Sequence, residues 1–296
     1  LVPQFSVRSY AKLLRRHRPH YIAGVPTLFE ALLRMRRIRG LDMSQVEGVF
    51  SGGDTLAPDL RERVNGFLRE HGANVQIREG YGLTECVTAS CLTPRDYHRD
   101  GSIGKPYPDT LYKIVEPNTD RELELGRTGE ICISGPTVMA GYDGAPEETA
   151  LVLRTHADGR VWLHTGDLGY MDGDSFVYFR QRLKRVIMSS GYSIYPSQLE
   201  DAICRHGSVR ACCVIGVPDD YKIRRPKAFI VLRDGVEPTD ELRESIMEHC
   251  RRNIALYAMP GEIEYRAQLP TTSIGKIAYA QVEREELERR KEWTKK

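Results

Sequence analysis

Between Phe176 and Ile187 two short apolar runs are interrupted by Arg182-Leu-Lys184-Arg185. A strand inside a sheet core has no place for three cations in four residues, because each ion taken out of water needs a partner. The segment 181–184 therefore reads as a joint, with residues 1–180 before it and 185–296 after it. Upstream, the β-type runs Val161–His164 and Phe176–Arg180 flank Asp172-Gly173-Asp174, the pattern of a hairpin. A chain of 296 residues is long enough to give each side a core of its own.

In residues 1–100 strand and helix signals alternate. Helical patterns run from Ser9 to His17, from Leu28 to Arg37, and onward from Pro58; strand patterns lie at Tyr21–Val25, Val46–Phe50 and Asn74–Arg78. This alternation predicts a parallel sheet with crossover helices. Residues 101–180 change to short β runs such as Leu111–Val115 and Glu130–Ser134, which predict a small β barrel or sandwich. Beyond the joint, a helix at Ser197–Arg205, strands at Ala211–Val217, Lys227–Leu232 and Glu262–Tyr265, and helices at Thr239–Asn253 and Ala280–Lys291 predict a small α+β domain. The expected fold class is α/β plus α+β.

Composition excludes several function classes. A formal net charge of +2 gives no strong electrostatic case for nucleic acid or a membrane surface as the main partner. No apolar run approaches the roughly 20 residues of a membrane span, and no secretory signal opens the chain. Seven cysteines in no paired spacing predict free thiols and a cytoplasmic setting. Cys212-Cys213, inside a β-type run, read as small core residues, and no Cys/His cluster has zinc spacing. The clusters Arg15–Arg18, Arg34–Arg39 and Glu283–Lys291 read as solvated helix faces. Nothing in the sequence bears on oligomeric state.

Ligands of parallel α/β sheets bind beyond the carboxyl ends of the strands. Two glycine-bearing loops are expected there, Ser51–Asp54 and Glu79–Glu85. Tyr81, between Gly80 and Gly82, offers a stacking face. Thr84 and Glu85 supply hard oxygen donors of the kind Mg²⁺ accepts; equally, Thr84 reads as a plain helix cap. Asp167 reads either as a turn residue or as a bidentate acceptor for two ribose hydroxyls, with Arg182 as a second sugar contact. Lys276 in isolation is an exposed loop lysine. Ser-Ile-Gly-Lys occurs at 102–105 and 273–276, and neither copy is a phosphate-binding P-loop.

In order along the chain stand Ser51-Gly-Gly, Gly80-Tyr-Gly-Leu-Thr-Glu, Gly101-Ser-Ile-Gly-Lys-Pro, Gly129-Glu-Ile, Gly141-Tyr, Thr165-Gly-Asp, Arg182-x-Lys, Ser190-Gly-Tyr-x-Ile-x-Pro and Pro270-Thr-Thr-x-x-Gly-Lys. This series resembles the adenylate-forming superfamily of acyl-CoA synthetases, luciferases and peptide-synthetase adenylation domains, and within it a fatty or other carboxylic acid–CoA ligase. The resemblance implies an ATP-dependent reaction in two steps. A carboxylic acid attacks the α-phosphate of ATP to give acyl-AMP and pyrophosphate; coenzyme A thiol then displaces AMP after the small domain swings. It implies adenine-side positions at Gly53, Asp54, Glu79, Gly80, Tyr81 and Gly82, a phosphate contact at Thr84 and a Mg²⁺ contact at Glu85. Asp167 and Arg182 correspond to the ribose contacts, Lys184 to the hinge, and Ser190 and Gly191 to the loop of the thioester step. Lys276 corresponds to the lysine that bridges the acyl carboxylate and the α-phosphate.

Four departures accompany the resemblance. The superfamily's Ser/Thr/Gly-rich phosphate loop is absent, which with the start at Leu1-Val-Pro-Gln-Phe5 implies the C-terminal portion of a longer enzyme, inactive by itself. Ile223-Arg224 stand where Gly-Glu is usual, Tyr279 where Arg is usual, and Arg185 where an acidic residue is common. Two other readings compete: an adenylation domain that loads a carrier protein, and a non-catalytic nucleotide-binding fragment.

Overall fold

Ser6 starts the first helix, α1 (Val7–His17), with a reciprocal cap: its hydroxyl accepts from the Ser9 amide at 3.1 Å, and its own amide donates to the Ser9 hydroxyl at 3.2 Å. Ala11 and Leu14 turn inward, while Arg15–Arg18 are exposed as expected. The computed structural model describes residues 6–35, 38, 40–87, 89–219, 221–272 and 276–293. The chain divides into two compact units, Leu1–Phe179 and Arg180–Lys296.

In the first unit, α1 is followed by β1 (Tyr21–Gly24), α2 (Pro26–Leu33), β2 (Gly48–Ser51), α3 (Pro58–Glu70) and β3 (Ile77–Tyr81). The strands β1, β2 and β3 pair in parallel, and Ile22, Phe29, Val49, Val64, Leu68 and Ile77 form one core between sheet and helices. Proline occupies the first turn of α2 and α3, where its missing amide costs no helical hydrogen bond. The helix expected to reach Arg37 ends at Leu33; Arg36, Arg37 and Arg39 lie outside the described residues, as do Leu1–Phe5.

The sheet continues antiparallel through β4 (Cys91–Leu92) and β5 (Lys105–Pro106). The segment 82–90 is too short for the dozen or more residues a parallel crossover requires, so the chain must reverse. The strand expected at Asn74–Arg78 forms three residues later, with the Ile77 amide donating to Asn65 Oδ1 at 2.8 Å. Glu79, Gly80 and Tyr81, expected in a loop, are strand residues, and Gly80 and Tyr81 pair with Leu92 and Cys91.

Next come β6 (Leu111–Val115), β7 (Gly129–Ser134), α4 (Pro146–Val152), β8 (Leu153–Thr155), β9 (Val161–Met171) and β10 (Val177–Arg182). They form a second sheet in the order β10-β9-β7-β6, with β8 on β9. Ile114, Ile131, Ile133, Leu163 and Val177 fill its core. The β9–β10 hairpin turns at 172–176 as expected, but β9 extends to Met171, well past His164.

The second unit begins within β10. It contains β11 (Ile187–Ser189), β12 (Tyr192–Ile194), α5 (Pro196–Cys204), β13 (Val209–Asp219), β14 (Ile223–Leu232), α6 (Asp240–Asn253), β15 (Glu262–Tyr265) and α7 (Tyr279–Trp293). The sheet β13-β14-β15 is covered on both faces. Val214, Ala228 and Ile230 pack with residues of α5 and α6, whereas Cys213, Phe229 and Val231 pack with Val282 of α7. Two-sided burial explains the unbroken apolar run around Cys212-Cys213. Fully burying Phe229 contributes about 1.5–3 kcal/mol.

The charged face of α7 corrects an expectation. Glu286 is 1% exposed and accepts from Lys227 at 2.9 Å and from Arg289 and Arg290 at 2.7 Å each. What reads as a solvated face is in part a buried ionic seam, because β14 places Lys227 beneath the helix. All seven cysteines are free thiols. Among the described residues no helix is long and apolar enough to cross a membrane.

Candidate active site

Asp167 lies in mid-strand and is 1% exposed, so the turn reading is wrong. The register between β7 and β9 slips between Glu130 and Cys132, producing a bulge at Thr165-Gly166-Asp167. Gly166 supplies the φ of 68° that this bulge requires. Its amide donates to Glu130 Oε1 at 2.9 Å, the Thr165 hydroxyl donates to the Ile131 carbonyl at 2.7 Å, and the Asp167 amide donates to Thr165 Oγ1 at 3.1 Å. The bulge thereby aims Asp167 at β3, where the Tyr81 hydroxyl donates to Asp167 Oδ2 at 2.7 Å. Burial and the Asp167 carboxylate push the Tyr81 hydroxyl well above its usual pKa, so it remains a donor. The Tyr81 ring also lies 6.2 Å from that of Phe179.

The ends of β2 and β3 bring the glycine motifs together. Ser51 pairs with Glu79, and a side-chain carbon on Gly52 would lie 3.3 Å from the Gly80 carbonyl oxygen. Gly53 and Asp54 follow in the exposed turn, and Gly82 follows β3. Burial pushes the Glu79 carboxyl up to about 7, opposed by the Leu56 amide, which donates to Oε1 at 3.0 Å, and by Arg61.

A carboxyl whose folded-state pKa is raised costs stability once it ionises. First-unit stability should therefore fall as pH rises from about 4.5 toward about 7. Glu79→Gln keeps the acceptor without the charge. It should match the parent below pH 4.5 and exceed it at pH 8 by on the order of 1–2 kcal/mol, discounted for partial exposure. Urea unfolding across this range checks it; a pH-independent difference would show ordinary ionisation.

Thr84 and Glu85 occupy a short 3-10 turn, Thr84–Cys86, capped by Leu83, so Thr84 is not the cap. Glu85 Oε1 accepts from the Tyr142 hydroxyl at 2.8 Å, and the Glu85 carbonyl accepts from the Met139 amide at 2.8 Å. An exposed hydroxyl beside a partly exposed carboxylate is an all-oxygen donor set that fits Mg²⁺.

The other candidates belong to the second unit. Arg182 ends β10, and Lys184 sits in the 3-10 turn Leu183–Arg185; both are exposed. Ser190 and Gly191, with φ of 48° and 81°, make the two-residue turn between β11 and β12. Lys276 closes a loop in which Thr271 bridges Ile277 and the Thr272 amide donates to the Lys276 carbonyl at 2.7 Å. Ser273, Ile274 and Gly275 lie outside the described residues.

Three of the departures acquire a physical setting. The Arg185 guanidinium lies 3.5 Å from the centre of the Tyr279 ring and bonds Glu200 at 2.6 Å, so two of the unusual residues contact each other. Ile223, 74% exposed, adopts a φ of 69°, a conformation that a β-branched residue resists. Ile223→Gly should stabilise the second unit by up to about 1 kcal/mol, net of the entropy glycine adds to the unfolded chain. A lower urea midpoint for the variant would refute the strain.

The sequence reading assigned no role to Glu130, Thr165 or Tyr142. Gly129-Glu-Ile, Thr165-Gly-Asp and Gly141-Tyr were visible as motifs, but their partners lie 34 residues or more away in the chain.

The AMP-binding enzyme family model matches residues 1–143, and the AMP-binding enzyme C-terminal domain model matches residues 198–276. The long-chain-fatty-acid–CoA ligase of Bacillus subtilis is 36% identical over 292 residues, 97% of this chain and 49% of the relative. Feruloyl-CoA synthase of an Amycolatopsis species is 36% identical over 274 residues, 92% of this chain and 52% of the relative. ATP-bound MatB from Rhodopseudomonas palustris superposes with a TM-score of 0.83 at 26% identity, covering 96% of this chain and 54% of that one. An anthranilate CoA ligase in complex with anthranoyl-AMP gives a TM-score of 0.78 at 26% identity, covering 96% and 53%. The chain thus spans about half the length of the curated relatives it matches.

Proposed function

Because the chain belongs to the AMP-binding enzyme family, we propose that it forms the nucleotide-handling and thioester-forming portion of an ATP-dependent carboxylic acid–CoA ligase, acting on a fatty acid. The observation that carries this reading is the 2.7 Å contact of Tyr81 with Asp167, which joins two motifs 86 residues apart at one buried carboxylate. Asp167 takes the ribose hydroxyls of ATP and AMP, Arg182 assists, and the strand ends at Gly53–Asp54 and Glu79–Gly82 face the adenine. Thr84 and Glu85 would hold Mg²⁺, which supplies charge neutralisation on the phosphates. Lys276 offsets the charge that grows on phosphorus as the acid attacks and pyrophosphate leaves. Lys184 serves as hinge, and the Ser190-Gly191 turn faces coenzyme A. Seven free thiols support a reducing compartment, the cytoplasm.

The test is acid-dependent ATP–pyrophosphate exchange and CoA-thioester formation by the natural protein that carries this chain, with fatty acids of several lengths beside an aromatic acid. Both activities are expected, with fatty acids preferred. Lys276→Ala should lower exchange by about 10²–10³-fold, the scale for a lost preorganised donor, while AMP affinity stays within a few fold. Exchange without a CoA product would favour a carrier-loading enzyme. AMP binding without exchange would favour a nucleotide-binding module, and residues 1–296 alone should behave in that way.

A further inference from the structure

We infer a transition-metal site, of the class that takes Zn²⁺, at Asp120, His156 and His164 on the antiparallel sheet of the first unit. One donor atom from each of the three lies within 4.8 Å of the others. His156 Nε2 and His164 Nε2 are 2.9 Å apart, and each faces Asp120 Oδ1, at 3.5 Å and 3.6 Å. The fold builds this arrangement from residues with no metal-binding spacing in the sequence. His156 begins the tight connection from β8 to β9, where its amide donates to the Arg160 carbonyl at 3.0 Å, and His164 lies on β9.

One further observation points to a ligand. His164 Nδ1 lies 3.0 Å from Glu130 Oε2, the carboxylate–imidazole contact that leaves Nε2 with its lone pair directed at the cluster. Among the described residues His156 Nδ1 is buried without a hydrogen-bond partner; with the ion on Nε2 it would carry the ring proton, so this imidazole lacks the carboxylate support that His164 has. Both imidazoles are at most 5% exposed, whereas the Asp120 side chain is 49% exposed, which supplies an entry path and room for water as a further ligand. Tetrahedral Zn²⁺ with nitrogens at about 2.05 Å needs them roughly 3.3 Å apart, a shift of a few tenths of an ångström from the observed spacing. Two imidazoles favour Zn²⁺ over Mg²⁺ or Ca²⁺, which prefer oxygen.

Of the two neighbouring cations, one is engaged elsewhere and the other shares the Asp120 carboxylate. Lys113 is held 3.6 Å from Asp158 and 4.0 Å over the Trp162 ring, and Arg154 stands 3.7 Å from Asp120, where it competes with the ion for one carboxylate. Glu130 also accepts from the Gly166 amide, so an ion at His164 would brace the bulge that carries Asp167.

The experiment uses the 296-residue chain, treated with chelator, dialysed, and titrated with Zn²⁺ and then Co²⁺. One Zn²⁺ per chain is expected, with visible Co²⁺ bands of a four- or five-coordinate nitrogen–oxygen site. Saturating Zn²⁺ should raise the melting temperature of the first unit by several degrees. Asp120→Asn and His156→Gln should each weaken binding tenfold or more. The Asp120 side chain is half exposed, so its variant keeps the test sound if the histidine variant folds poorly. Failure to retain Zn²⁺, or equal affinity in parent and Asp120→Asn, would overturn the site.

Discussion

Asp167→Asn is expected to weaken AMP binding by about 10- to 150-fold, the loss of a charged hydrogen bond worth about 1.5–3 kcal/mol, while leaving the melting temperature nearly unchanged. Asparagine keeps an acceptor for the Tyr81 hydroxyl, so the 2.7 Å contact survives and only the charge is lost. Asp167→Ala should differ. It removes the acceptor as well and leaves a largely buried hydroxyl on Tyr81 without it, which adds a stability loss of about 1–3 kcal/mol. A turn aspartate could be truncated with little effect on folding, but a residue 1% exposed in mid-strand cannot. Calorimetric AMP titration and thermal melting of both variants separate the effects. If both variants lower the melting temperature and neither changes AMP affinity, Asp167 is structural and the ribose assignment fails.

Lys227→Met is expected to destabilise the second unit by about 3–5 kcal/mol, the range for removing one partner of a buried ion pair. Lys227 is 2% exposed, with Nζ 2.8 Å from Glu264, 2.9 Å from Glu286 and 3.5 Å from Glu262. Without it, three carboxylates converge with only peripheral arginines for compensation. The double variant Lys227→Met/Glu286→Leu should recover most of the loss, because an apolar pair of similar volume replaces the ions.

The pH dependence follows from the same seam. Burial raises the Glu262 carboxyl, but hydrogen bonds from Arg290 and Arg225 outweigh it and bring the group to about 2; Glu264 and Glu286 are lowered as well. A lowered carboxyl contributes stability above its unfolded pKa, near 4.5, and that stability drains away as pH falls toward about 2. Hydrogen exchange at the Ala228–Ile230 amides, followed against urea and pH, reads the second unit directly. An unchanged exchange profile in Lys227→Met would mean that the seam is energetically neutral.

Legibility in the sequence depended on how far each residue's partner lies along the chain. Crossover helices and strands announce themselves through local periodicity, so α1, α6 and β15 fall close to where the pattern puts them. The strand β3 did not. Gly80 and Tyr81 look like loop residues locally, but they are held in a strand by pairing with Leu92 and Cys91 across a reversal. The charged face of α7 looked solvated because nothing near Glu286 in sequence discloses Lys227 beneath it. The two histidines escaped notice for a similar reason. Zinc motifs are recognised by short fixed spacings, whereas His156 and His164 meet across a hairpin and Asp120 arrives from an earlier connection.

By itself the sequence determined the alternation of elements and the ordered motif series that gives the family, because these depend on neighbours a few residues apart. Only the tertiary structure decided what the motifs do to one another. It turned Thr165-Gly-Asp into a bulge, placed its carboxylate against Tyr81, set Tyr142 on Glu85, and buried Lys227 under Glu286. Those contacts join residues 34 to 86 positions apart, and their partners are selected by sheet register and packing, which no local pattern encodes.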